Sequence, residues 1–138
     1  MTSTADSLGA TLTTVAADIL TVPAGKAAHI LGIVAANVDG TNPADVTVQW
    51  TDASAADQVT RLAFNLAVDA GDSRSCLAAP IALREGDKVQ ALASADLDLE
   101  LTITFYYEDA ACWFGPCLLL LGRKAALRNG YRDPPLDL

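Results

Sequence analysis

Leu97-Asp-Leu-Glu-Leu-Thr-Ile-Thr-Phe-Tyr106 is the stretch that decides the fold class. Leu97, Leu99, Leu101, Ile103 and Phe105 take every second position, and Asp98, Glu100, Thr102, Thr104 and Tyr106 stand between them. Successive side chains of a strand point to opposite faces, so this spacing gives one apolar face and one polar face. A helix repeats every 3.6 residues and would scatter the same leucines around its axis. The stretch reads as a strand with one face on a core.

The same grammar extends back along the chain. Leu62, Phe64, Leu66 and Val68 alternate with Ala63, Asn65 and Ala67, and Val46, Val48 and Trp50 with Thr47, Gln49 and Thr51. Turn formers separate these runs: Asp39-Gly-Thr-Asn-Pro-Ala-Asp45, Asp69-Ala-Gly-Asp72 and Arg84-Glu-Gly-Asp87. Val22-Pro-Ala-Gly25-Lys26 closes the strand from Ile19 in the manner of Val68-Asp-Ala-Gly71-Asp72. Ile81 to Leu83 and Val89 to Ala93 make short strands. His29 to Ala36 is nearly continuous in apolar residues, as in a strand buried on both faces or lying inside a sandwich. About seven or eight strands at spacings of roughly 8–12 residues predict an all-β fold, a single β-sandwich of jelly-roll or Ig-like order. Trp50, Phe64, Leu101, Ile103 and Phe105 are its expected core anchors.

The two ends read differently. Residues 1–17 are rich in Ser, Thr and Ala and form an N-terminal arm that orders against a partner or a sheet edge. Residues 18–109 are the β-sandwich domain, and residues 110–138 a C-terminal docking tail. The tail holds Cys112-Trp-Phe-Gly-Pro-Cys117, then Leu118 to Leu121, then a basic stretch from Arg123-Lys124 to Arg132. A short helix over 122–129, stopped at Gly130, fits its composition. All the acidic side chains but Asp133 and Asp137 precede it, so an acidic body carries a basic end.

These features bound the function. A chain of 138 residues has room for one domain with a real core. Its net charge of −8 sits on the body and repels phosphate, so direct nucleic-acid binding is not expected. The apolar run in the tail falls short of the ~17–25 residues of a membrane helix, and no membrane partner is expected. The start lacks the basic and apolar regions of a signal peptide, which fits a chain made in the cytoplasm.

No catalytic constellation appears. His29, the one histidine, stands in an apolar strand and reads as a side chain satisfied by its neighbours. Asp39, Asn42 and Asp45 share a loop but lack calcium-loop spacing, and Asp-Gly and Asn-Pro are turn formers. Asp52 with Asp57, and Asp69 with Asp72, read as solvated loop acids, since few aromatics stand by to hold a sugar. Cys112 and Cys117 read as small buried hydrophobes, with a disulfide across their turn as the alternative. Neither a nucleophile elbow nor a phosphate-binding glycine loop is present. The expectation is a non-enzyme without catalytic residues, metal or cofactor. Trp113, Phe114, Leu118, Leu119, Leu120 and Leu121 would instead anchor a contact, with Arg123, Lys124 and Arg128 at its rim. Folding back over the sandwich is the competing use for the same apolar cluster.

Between Leu20 and Glu108 the chain resembles small structural proteins of tailed bacteriophages. The phrases that carry the resemblance are LTVPAGKAAHILGIVAANVDGTNPADVTVQWTDAS, RLAFNLAVDAGDS, IALREGDKVQALAS and LELTITFYYED, in this order. It spans about two-thirds of the chain and leaves the tail outside. The resemblance implies a β-sandwich of the virion that is assembled in the host cytoplasm. A capsid decoration or cement protein bound to the major capsid protein is the first expectation. The resemblance also implies a homo-oligomer, with a trimer suited to a local threefold axis. A neck or tail component (adaptor, stopper, terminator or fibre-base protein) and a host-surface carbohydrate-binding module are the alternatives.

Overall fold

A computed structural model of the chain describes residues 4–110. Among these residues nine strands follow one another: β1 (Asp6–Thr11), β2 (Ala17–Thr21), β3 (Lys26–Asn37), β4 (Ala44–Asp52), β5 (Gln58–Val68), β6 (Ser73–Ser75), β7 (Ile81–Leu83), β8 (Lys88–Ala93) and β9 (Leu99–Asp109). A single 3-10 turn, Ala53–Ala55, interrupts them, and the described residues contain no α-helix.

The pairing has a simple logic. β1 pairs with β9, β2 with β8, β3 with β6 and β7, and β4 with β5, all antiparallel. That is one long hairpin, closed at Asp52–Gln58 and interrupted once between β6 and β7. Rolling it up sets β9 beside β3 and β8 beside β4. The sheets then read β1-β9-β3-β6, with β7 also on β3, and β2-β8-β4-β5. Strands from the two halves of a rolled hairpin that alternate in this way are the jelly-roll order, so the Ig-like alternative falls away.

Two apolar inner faces close on one another to form the core. Ile30, Ile33, Leu99, Leu101, Ile103 and Phe105 come from the first sheet, and Leu20, Val46, Val48, Val68, Val89 and Ala91 from the second. Trp50 is half-buried and packs against this cluster. Two reverse turns share the expected grammar. Lys26 N–H donates to Pro23 O (3.2 Å) and Asp72 N–H to Asp69 O (3.0 Å). Gly25 and Gly71 hold φ of 77° and 73° in them, a region that L side chains avoid.

Three expectations change. Phe64 is not a core anchor, for it is 65% exposed. β5 carries two register shifts against β4: Val46 faces Leu66, Val48 faces Ala63, and Gln49 faces Arg61. Each shift inserts one extra residue in β5, a bulge that breaks the period of two, and Asn65 takes φ 48° at the first. Leu62 and Ala63 turn inward, while Phe64 lies out under the Arg61 guanidinium, 5.6 Å from its ring centre. Leu97 leaves the inward series as well. It precedes β9, takes φ 70° and is 65% exposed. Finally, of the two readings open for β3, burial on both faces falls away and the place in a sandwich stays: it is buried on one face, with Leu31 and Val34 exposed on the other.

Candidate interaction surface

Trp113, Phe114, Leu118, Leu119, Leu120, Leu121, Arg123, Lys124 and Arg128, the docking residues expected from sequence, lie outside the described residues, as do Cys112, Cys117 and the expected helix. The surfaces that the described residues offer are two sheet faces, two loop ends and one flank.

The outer face of the β2-β8-β4-β5 sheet is occupied by its own polar side chains. Gln49 Nε2 donates to Gln90 Oε1 (2.8 Å), Gln90 Nε2 donates to Asp18 Oδ1 (2.7 Å), and Lys88 Nζ stands 3.5 Å from Asp18 Oδ2. The Gln90 bond is the main reason the Asp18 carboxyl titrates below its ordinary range, with Lys88 adding to it. Thr47 Oγ1 donates to Asn65 Oδ1 (3.2 Å) across to β5. Thr47, Gln49 and Thr51 are buried under this lattice although they point away from the core.

The opposite outer face is smoother. Ser7, Gly9 and Thr11 of β1 stand opposite Thr104, Thr102 and Glu100 of β9. His29 stacks on Tyr106, ring centres 4.7 Å apart and planes within 13°. Leu31 and Val34 lie further along β3. The long apolar run of β3 is the signal in the sequence for this face, since a singly buried strand needs no outward Leu or Val.

One loop end gathers the β1–β2, β3–β4, β5–β6 and β8–β9 connections. Backbone bonds tie them: Leu97 N–H to Leu12 O (3.0 Å), Val38 N–H to Asp98 O (2.8 Å), Asn37 N–H to Asp72 O (2.8 Å) and Ala93 N–H to Thr13 O (2.8 Å). Val15, Val38 and Leu97 are exposed on these loops. Asp39 serves its own loop: Oδ1 accepts from the Thr41 and Asn42 amides and Oδ2 from Asn42 Nδ2. These bonds, Thr41 first, hold its carboxyl below the ordinary range. Asp52 likewise caps the 3-10 turn, accepting from Ser54 N–H (2.9 Å) and Ser54 Oγ (2.6 Å). Among the described residues no three His, Cys, Asp or Glu side chains converge as a metal site needs.

The flank between β5 and the β6–β7 connection holds a hollow of about 470 Å³. Leu62, Leu66, Cys76 and Leu77 line it and Phe64 stands at its rim. Burial pushes the Cys76 thiol up to about 11, so it stays protonated and unreactive at neutral pH. Sequence reading missed this hollow because it exists through the β5 bulges. A strand of strict period two would have put Phe64 where Ala63 now sits.

A comparison with a solved capsid structure agrees on the fold. A chain in the acid-stable capsid structure of Helicobacter pylori bacteriophage KHP30 superposes with a TM-score of 0.50 at 15% identity, over 78% of this chain and 87% of that one. A chain of the disulfide-linked pili of Bacillus endospore appendages aligns with a TM-score of 0.48 at 20% identity, over 79% of this chain and 88% of that one. No family model matches the sequence. No curated protein matches it either. The fold is thus shared with a component of a phage capsid structure, at an identity that speaks for architecture alone.

Proposed function

We propose that this chain is a non-enzymatic virion structural protein, a decoration or cement protein on the head of a tailed phage. The observation that carries the reading is the jelly-roll sandwich shared with the KHP30 capsid chain over 78% of this chain. The sequence resemblance between Leu20 and Glu108 points the same way. On the described surface the Asp39 and Asp52 carboxylates accept from loop amides, and burial keeps the Cys76 thiol protonated.

A cement protein works through contact. It bridges shell subunits and adds buried area that resists internal pressure, and repetition over the particle sums modest affinities. The tail supplies the attachment in this reading. Trp113, Phe114 and Leu118–Leu121 enter an apolar site on the major capsid protein, with Arg123, Lys124 and Arg128 at the edge. The acidic body faces solvent and keeps particles apart.

Copy number per purified particle, by quantitative mass spectrometry against the major shell protein, tests the assignment. Hundreds of copies are expected. A dozen or fewer would reassign the chain to a neck or tail ring, and absence from particles would remove it from the virion. A chain ending at Ala111 tests the attachment. It should fold and lose particle binding, and full binding by it would acquit the tail.

A further inference from the structure

Four strand edges bound the two sheets among the described residues, and three of them are spoiled for pairing. β5 has two bulges, β2 has a register shift between Asp18 and Leu20, and β6 and β7 are three-residue pieces parted by a segment ending in Pro80. Breaks of this kind keep sheet edges from adding foreign strands. β1 has none. It pairs with β9 in unbroken register from Asp6–Phe105 to Thr11–Glu100, and Asp6 is its one charged residue.

The direction of its free hydrogen bonds follows from one contact. Leu12 N–H, next after the strand, donates to Leu99 O at 2.9 Å, so the amides of even-numbered residues face β9. Those of Ser7, Gly9 and Thr11 then face away. Ser7 agrees, since its N–H is taken by the carboxylate of Asp6 beside it (2.8 Å) instead of a strand. Over Gly9 a shallow hollow of about 300 Å³, bordered by Thr11, Glu100 and Thr102, lies open.

We propose that this edge joins a second copy of the same chain, β1 against β1, about a twofold axis normal to the sheet. Such an axis keeps each side chain on its own face, so residues of like parity must meet. Centring it on Gly9 sets Gly9 opposite Gly9 and Ser7 opposite Thr11, all with outward amides and carbonyls. Leu8 meets Ala10 on the inner side and continues the apolar face from one molecule into the next. Asp6 comes opposite Leu12, so no carboxylates confront each other. The glycine leaves the centre open to close backbone approach. This contact does not rest on attachment to a shell and stands or falls apart from it.

Two substitutions act in opposite directions without touching the β9 pairing. Gly9→Pro removes an outward N–H, a change that edge strands accept, and should abolish association. Asp6→Ala releases the Ser7 amide and discharges the edge, and should tighten association. Sedimentation velocity of the full chain over a concentration series, with amide exchange at Gly9 and Thr11, reads the result. The expected outcome is a reversible dimer in which both amides slow in step with the dimer fraction. A dimer whose Gly9 and Thr11 amides exchange freely, or that Gly9→Pro leaves intact while circular dichroism shows a folded chain, would overturn the proposal. So would protection that dilution does not change, which would mean that the same chain covers its own edge, or a monomer at every concentration.

Discussion

Phe64 and Phe105 both stand at alternating positions in strand-like sequence, and the structure separates them completely. Phe105 is 7% exposed and Phe64 is 65% exposed. Truncating Phe105 to alanine removes a ring from a filled core and should cost about 3–5 kcal/mol. The same change at Phe64 forfeits an exposed cation–π contact and some partial cover, so about 1 kcal/mol or less is expected. Urea unfolding of the two variants side by side measures the contrast. Leu97 makes a different point. At φ 70° with its side chain in solvent, it holds a conformation that suits asparagine better. Leu97→Asn should stabilise by roughly 0.5–1 kcal/mol in the same assay. For Cys76 the sign follows from protonation. The folded thiol keeps its proton to about 11 against 9.0 for a free one, so between these values the folded state binds more protons than the unfolded. Stability from this group is therefore full below pH 9.0 and is lost as pH rises towards about 11, which thermal melts of wild type and Cys76→Ala would separate.

At the scale of elements, buried polar groups hold the connections. Asp87 is buried, and its Oδ1 accepts from Ala53 N–H (2.9 Å) while Oδ2 accepts from Arg84 N–H (2.9 Å). It thus ties the β4–β5 turn to the β7–β8 turn. Asp87→Ala strands two amides and should cost about 2–4 kcal/mol, whereas Asp87→Asn keeps one acceptor and should cost less. Asn37 does the same work at the other loop end, donating to Asn42 O and Val68 O and accepting from Asp39 N–H.

What was legible in the sequence is explained by the same physics. β4, β8 and β9 could be read directly because each has one polar and one apolar face, and the period of two reports that difference. β1 could not, since Ser7, Gly9 and Thr11 are small or polar and carry little pattern. The two β5 bulges were also invisible, because an inserted residue leaves the string of apolar letters unchanged. Strand order depends on which halves of the hairpin roll together, and no local spacing encodes that. As for the site, the sequence pointed to a tail that lies outside the described residues; for the β1 edge it offered an arm over 1–17 that orders against a partner or a sheet edge, but not the backbone direction that leaves amides facing outward.

For the whole molecule, the rolled hairpin makes most pairings distant in sequence. Folding rates fall as such separations grow, because loops must close before contacts repay them. Refolding should take roughly milliseconds to seconds, and stopped-flow fluorescence of Trp50, in a variant with Trp113→Phe, would time it. The order of the strands in the first sheet carries one more consequence. β3 lies between β9 and β6, yet β9, the last strand among the described residues, is made about 60 residues behind it. At ribosomal rates of about 5–20 residues per second, Ile30 and Ile33 wait several seconds for the strand that covers their flank. The nascent chain must spend that interval with an open sheet, so the window for chaperone capture or misassociation during synthesis is set by the position of β9 in the gene.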